Sequence, residues 1–329
     1  RVAQLEARWR EVGPSLRTAA PRATLEDWHW AHAVYWSRGC AIPLEEGLVE
    51  GVVPGLDFAN HSAKPNCCWV VVETDGDATV HLVPARGARV PRAEEELTID
   101  YGARSDEEFL FHYGFLQDPV PGVEGRDVLM LALPLIPADE WDRPLAARVE
   151  LLQRRGLAPR ILLGGAPLSG ESSAEPCSGA ARASIFSDEA RETIATFVAL
   201  KEDVYRALKA SEDAPCPSPA ADDATSDAPA PPSLLPLAGM DLAVTSTLCS
   251  LLELKAQAQE DEATGTGSLE ADEALLEAHA RGRKALAPRA LLALRYRAAQ
   301  KRLCRAWLGA ARAEQQRLMR GMARDKDGR

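Results

Sequence analysis

Leu56-Asp57-Phe58-Ala59-Asn60-His61-Ser62 and Glu96-Leu97-Thr98-Ile99-Asp100-Tyr101-Gly102 are the two stretches on which the fold turns. Asn60 and His61 close a short apolar, strand-like run and bring an amide, an imidazole and backbone groups into one tight place. Taken singly, they read as a turn held by the asparagine with an exposed histidine. Tyr101 ends a β-rich run and precedes a glycine; by itself it reads as a core tyrosine whose hydroxyl finds a partner. A third stretch, Trp36-Ser37-Arg38-Gly39-Cys40, contributes Arg38, alone a surface arginine. The information lies in the order of the three.

Around them, residues 48–104 have the texture of short strands with irregular, Gly-rich joins. Val49, Val52 and Val53 mark one short strand, and Leu97 to Ile99 another. Cys68 to Glu73 and Thr79 to Val83 flank Asp75-Gly76-Asp77, a hairpin signal. Ser105 caps a helix to about His112, and Glu108 completes a capping box. On the N-terminal side, Val2, Leu5, Trp9, Val12 and Leu16 have helical spacing over 2–19, with Gly13-Pro14 placed to kink or split the helix. Thr24, with Asp27, caps a second helix from Leu25 to about Ser37 that is expected to bury Trp28, Ala31, Tyr35 and Trp36.

After about Val123 the pattern turns helical, with helices predicted over 138–155, 187–210, 234–258, 269–281 and 288–322. The last carries the stripe Leu292, Tyr296, Ala299, Leu303, Trp307 and Ala310. Residues 211–233, rich in Ala, Pro, Ser and Asp, read as a disordered loop, and 259–268 as a second flexible, acidic break.

The 329 residues, 46% of them hydrophobic, suffice for two domains. The formal net charge is −11. Residues 281–329 carry 15 Lys and Arg against 3 Asp and Glu, a net of +12, so the other 280 residues sum to −23. The simplest reading of that basic end is a solvated cationic face on a long helix; the sharper one is a patch for an acidic partner. An acidic chain argues against nucleic-acid binding. No apolar run approaches the roughly 18 residues that a membrane helix needs. The seven cysteines have no CxxC spacing, which indicates neither a zinc site nor a disulfide framework and fits a reducing intracellular compartment.

Together these segments resemble the SET-domain protein methyltransferases, and among them the Rubisco large-subunit lysine methyltransferase group, whose relatives include a protein-histidine methyltransferase. The resemblance rests on Leu25–Arg38 closing on Ser37-Arg38, on Asp57-Phe58-Ala59-Asn60-His61-Ser62, and on Glu96 to Tyr101-Gly102 running on through Ser105 to Tyr113-Gly114-Phe115. Tyr296-Arg297-x-x-Gln300-Lys301 resembles the closing helix of the group's C-terminal domain. The resemblance implies an α+β fold: SET-type short β-sheets with the end of a helical insert over 1–120, then an all-helical substrate-binding domain over 121–329. It implies S-adenosyl-L-methionine as cofactor and transfer of its methyl group to a lysine amine of a protein substrate, non-histone rather than histone. Asn60, His61 and Arg38 would bind the cofactor, Tyr101 would place its hydroxyl at the methyl group and the target amine, and Asp57, Tyr113 and Arg38 would face the substrate. The implied protein is a monomer without metal, nucleic acid or membrane partner, in the chloroplast, cytoplasm or nucleus. Two alternatives stand beside it: a SET-like module that binds a protein without catalysis, and histidine as the target.

Methyl transfer from a sulfonium is an in-line displacement, so most of the rate gain is positioning. A lysine must arrive as the neutral amine, which desolvation favours. Oxygen dipoles around the methyl group help as the sulfur charge disperses. The group's glycine-x-glycine segment, whose backbone would hold charged parts of the cofactor, does not precede Arg1, so the chain reads as a fragment, and the resemblance leaves open whether it is active without that segment. Cys40 stands where relatives carry a larger residue, Asp106 where asparagine is frequent and Glu94 where a turn glycine is usual.

Overall fold

The computed structural model describes residues 2–44, 47–74, 77–102, 104–117, 127–133, 135, 137–165, 187–212, 235, 237, 239–261, 263 and 267–327. The chain divides into two compact units, Arg1–Glu124 and Gly125–Arg329.

The first unit opens with α1 (Val2–Ala19) and α2 (Leu25–Arg38). Gly13-Pro14 does not split α1, which continues through the proline. Thr24 caps α2 as its sequence dictates: its hydroxyl accepts the Asp27 N–H at 3.2 Å, and the Asp27 carboxylate accepts the Thr24 N–H at 2.9 Å. Trp28 packs on Trp9 with centroids 6.1 Å apart and donates its indole N–H to Leu5 O at 3.2 Å, which fixes the helix pair. The expected buried face of α2 is absent. Trp28 is half-buried, Ala31 is exposed, and Tyr35 and Trp36 keep 39% and 44% of their surface. The helix rests on α1 and on the turn at 109–113, and these leave its aromatic side open.

The strands are short and pair two by two. β1 (Cys40–Leu44) runs antiparallel to β2 (Gly47–Gly51), with Cys40 opposite Gly51. β1 was not expected, because Pro43 and the terminal glycines of its partner are poor strand signals. Val52 and Val53, expected in a strand, lie beyond it. β4 (Cys67–Thr74) and β5 (Asp77–Pro84) form the predicted hairpin, with Thr74 opposite Asp77; the turn residues 75 and 76 lie outside the described residues. β3 (Asn60–His61) pairs in parallel with β6 (Thr98–Ile99), Asn60 opposite Thr98. This short parallel pair joins the two diagnostic stretches. Beneath it, Ala59, Cys67 and Ile99 are buried with Trp69, Leu82 and Tyr101 packed against them.

Ser105 caps α3 (Asp106–Glu108) through the expected box with Glu108. The helix predicted to about His112 gives way after one turn to a π-helical turn, Phe109–Tyr113, in which the Gly114 N–H reaches back five residues to Phe109 O at 3.0 Å. Gly114 takes φ +79°, a conformation glycine adopts without steric cost.

The second unit is not all-helical, which corrects that expectation. β7 (Val128–Ala132) pairs antiparallel with β8 (Arg160–Gly164), Val128 opposite Gly164. Leu129, Leu131, Ile161 and Leu163 alternate inward and are nearly fully buried. Leucine, methionine and alanine concealed these strands because they favour helix when no partner strand is known. Around the pair lie α4 (Arg143–Arg154), α5 (Asp188–Val198), α6 (Lys201–Glu212), α7 (Asp241–Glu260), α8 (Leu269–Ala280) and α9 (Pro288–Asp327). The helix predicted over 138–155 starts at Arg143 after a 3-10 turn at Ala138–Glu140, and the one over 234–258 starts at Asp241.

The predicted helix 187–210 breaks at Ala199-Leu200 into α5 and α6. Arg148 of α4 donates to Thr196 O at 2.6 Å and Ala199 O at 2.9 Å, satisfying carbonyls at the end of α5. Of the disordered loop expected over 211–233, residues 211 and 212 belong to α6 and the rest lie outside the described residues. The break expected over 259–268 begins only after α7 ends at Glu260; residues 262 and 264–266 lie outside the described residues. Among the described residues, no helix is long and apolar enough to cross a membrane.

Several basic residues of the C-terminal end are paired with acidic side chains. Arg305 of α9 binds Glu260 of α7 and Glu270 of α8, Arg302 binds Glu273, and Arg312 binds Glu253. At the centre, Asp272 is fully buried, receives Lys301 Nζ at 2.8 Å, and is also bound by Arg297. Lys301 donates in addition to Gly267 O at 2.7 Å. Gln300 donates to Val128 O at 3.2 Å and Trp307 to Gly165 O at 2.9 Å, fastening α9 to the β7–β8 end. Arg297, Gln300 and Lys301 are therefore structural ties. The buried stripe of α9 runs through Leu294, Ala298, Lys301, Leu303, Cys304, Trp307 and Ala311, shared with the expected one only at Leu303 and Trp307.

Candidate active site

The β3–β6 junction builds the site. Ser62 N–H donates to Ile99 O at 3.0 Å, continuing the pairing past His61. The His61 side chain is 4% exposed, and its Nδ1 accepts the Tyr101 backbone N–H at 3.2 Å. That acceptor role puts the ring proton of a neutral His61 on Nε2. The ring packs against Tyr101 at 5.3 Å and Phe109 at 4.6 Å. The Tyr101 hydroxyl donates to Ala59 O at 2.9 Å, so both its backbone and its side chain are tied to the Asn60-His61 strand. Gly102 follows at φ +96° and turns the chain away.

A cleft of about 260 Å³ opens beside Tyr101. Arg38, Cys40, Asp57, Trp69, Asp100, Tyr101, Arg104 and Tyr113 contribute to its lining, together with the backbone at Ala59 and Gly102. Tyr101 and Tyr113 stand with ring centroids 4.9 Å apart. Burial pushes both phenols above their ordinary value; Arg38 opposes the shift at Tyr101, and Arg104 opposes it at Tyr113. Both hydroxyls are therefore protonated at neutral pH. The stability that their protonated forms contribute is complete below the ordinary phenol value, about 10, and is lost as pH rises through the higher folded-state values.

Of the residues singled out in the sequence, Arg38, Asp57, Tyr101 and Tyr113 meet at this cleft. Arg38, at the end of α2, donates to the Asp57 carbonyl, and Asp57 accepts the Gly55 N–H at 2.8 Å to hold the turn. Asn60 and His61 are not among the lining residues. Asn60 is exposed and donates to Glu96 Oε1 at 2.7 Å, while His61 lies behind Tyr101 and holds its backbone.

Sequence reasoning missed two supports. Asn66 accepts the Thr98 N–H at 2.9 Å and donates to Glu96 O at 2.8 Å, clamping β6 from the side. Arg104 donates Nε to Tyr101 O at 3.2 Å and places its guanidinium 5.9 Å from the Tyr113 ring centroid. Neither residue type by itself signals such a role. Among the described residues, no group of His, Cys, Asp and Glu is arranged to hold a metal ion.

The fold has a known counterpart. The crystal structure of the SET domain of LSMT bound to lysine and AdoHcy superposes with a TM-score of 0.56 over 96% of this chain and 63% of that one, at 15% identity. The chain thus has a SET-type fold. In sequence, it is 31% identical over 140 residues to SET domain-containing protein 8 of Schizosaccharomyces pombe, a match that covers 42% of this chain and 29% of that protein. It is 31% identical over 136 residues to actin-histidine N-methyltransferase of Canis lupus familiaris, covering 41% of this chain and 21% of that enzyme. The chain spans less than a third of the length of these curated relatives. No protein-family profile matches it.

Proposed function

We propose that this chain carries the catalytic cleft of an S-adenosyl-L-methionine-dependent protein-lysine methyltransferase, akin to the Rubisco large-subunit lysine methyltransferase group. The observation that carries the reading is the pairing of Asn60-His61 with the strand that delivers Tyr101 to the cleft. The residues fit the cofactor's chemistry. The exposed Asn60 amide, the Glu96 carboxylate beside it and the Arg38 guanidinium offer donors and acceptors for a cofactor that joins an adenosyl group to a methionine part bearing an ammonium and a carboxylate. When bound, the cofactor supplies an electrophilic methyl group.

The chain's own residues then do four things. His61 fixes the Tyr101 backbone. The Ala59 carbonyl holds the Tyr101 hydroxyl by accepting its hydrogen bond, which leaves the hydroxyl's lone pairs as the oxygen dipole presented to the cleft. Tyr101 and Tyr113 give aromatic walls for the stem of a lysine. Their burial marks a partly dry site, which favours the neutral amine. The cleft, at about 260 Å³, lies just under the roughly 300–1,000 Å³ of pockets for drug-sized ligands and suits a single side chain.

A second reading takes histidine as the nucleophile, supported by the similarity to actin-histidine N-methyltransferase. The test supplies labelled S-adenosylmethionine and a protein extract, then maps the labelled residues by mass spectrometry. Label on lysine is expected. Label on histidine alone would replace the first reading with the second, and no label on any protein would leave the inactive binding module.

A further inference from the structure

We propose that the stacked rings of Trp36 and His112 form a brace that sets the spacing of Arg38 and Tyr113 across the cleft, which makes Trp36 and His112 positioning residues. The two walls ride on different elements. Arg38 ends α2, and Tyr113 ends the π-helical turn. Trp36 lies two residues before Arg38, and His112 immediately precedes Tyr113. Their rings stack at 5.4 Å with 27° between planes, so the contact joins the two elements next to residues that line the cleft.

The indole is itself oriented. Its N–H donates to His32 Nε2 at 3.0 Å, and Tyr35 meets it edge-on at 5.9 Å. Tyr35 in turn donates to Glu50 on β2 at 2.9 Å. On the other side, Phe111 meets His112 edge-on at 5.1 Å, and His112 meets Tyr113 at 6.2 Å. A chain of rings therefore leads from β2 through α2 to the wall of the cleft. Trp36 stays 44% exposed, so it adds little to a core, and its geometry is what the contact uses. π turns are frequent at functional sites. The consequence for methyl transfer rests on the proposed function, but the brace does not.

Tyr113 reports the brace directly, because burial holds its phenol above the ordinary value. In protein carrying 13C-labelled tyrosine, NMR titration follows the five tyrosines, with Tyr113 assigned from Tyr113→Phe. Trp36→Ala and His112→Ala are expected to let water reach Tyr113 and bring its titration down toward the ordinary phenol value. Trp36→Phe and His112→Phe, which keep a ring in the stack, are expected to leave it in place. An unchanged Tyr113 titration in both alanine variants, whatever happens to the melting temperature, would overturn the brace. If an alanine variant loses its dispersed spectrum, Trp36→Leu and His112→Leu, which keep bulk without a ring, decide in its place. An active protein should show lower kcat in the alanine variants with S-adenosylhomocysteine affinity retained. A protein that transfers no methyl group would refute the functional reading and leave the Tyr113 titration to decide the brace.

Discussion

Tyr101→Phe is expected to lower methyl transfer by about 100-fold or more, the range seen when one preorganised polar group is removed from a transition state. The expectation follows from how the hydroxyl is held. It donates to Ala59 O at 2.9 Å while the backbone of the same residue is fixed by His61, so the oxygen is aimed before any ligand arrives. Phenylalanine keeps the ring contacts with His61 and Tyr113 and removes only the oxygen. The stability loss should be about 1 kcal/mol, one hydrogen bond. S-adenosylhomocysteine affinity should change little. Single-turnover rates measured beside a denaturation curve separate these effects, and an unchanged rate would remove Tyr101 from the chemistry.

The largest loss of stability is expected in the second unit, from Asp272→Ala. Asp272 is fully buried between α8 and α9, where it neutralises Lys301, itself 1% exposed, and binds Arg297. Removing the carboxylate leaves a buried ammonium with its counter-ion gone, which typically costs about 3–5 kcal/mol. Removing both charges is a different matter, because an apolar pair of similar volume escapes the desolvation penalty. Asp272→Leu with Lys301→Met should therefore be more stable than Asp272→Ala. Urea denaturation of the three proteins checks this. A double variant no better than the single one would show that the network is held by geometry instead of charge compensation.

The sequence was legible where the physics is local. Both N-caps, Thr24 with Asp27 and Ser105 with Glu108, stand as read, because each closes within four residues; that the first is also a full capping box is added by the structure. The hairpin of β4 and β5 was legible from alternation and a turn signal. What escaped depends on partners distant in the chain. β7 and β8 are strands because each satisfies the other across some thirty residues, against the preference of Leu, Met and Ala for helix. The break at Ala199-Leu200 has neither glycine nor proline; a guanidinium from α4 supports it. The aromatic face of α2 looked like a core because its spacing is that of one, yet Trp36 is spent on His112 at the surface.

The site divides in the same way. Arg38, Asp57, Tyr101 and Tyr113 were named from motif order, and the structure gathers them at one cleft. The positions of Asn60 and His61 were less legible: one presents an exposed amide next to Glu96, and the other works behind Tyr101. Asn66 could not be read, since Thr98 and Glu96, some thirty residues on, become its neighbours only in the fold; Arg104 lies three residues from Tyr101, but nothing in its residue type sets it apart from a surface arginine.

The most direct test of the central claim is a calorimetric titration of this protein with S-adenosylhomocysteine. The account predicts saturable binding of one molecule per chain, lost in Asn60→Ala and kept in Tyr101→Phe. Heat that shows no saturable binding, or binding that Asn60→Ala leaves intact, would contradict the assignment of the β3–β6 junction as a methyl-transfer site.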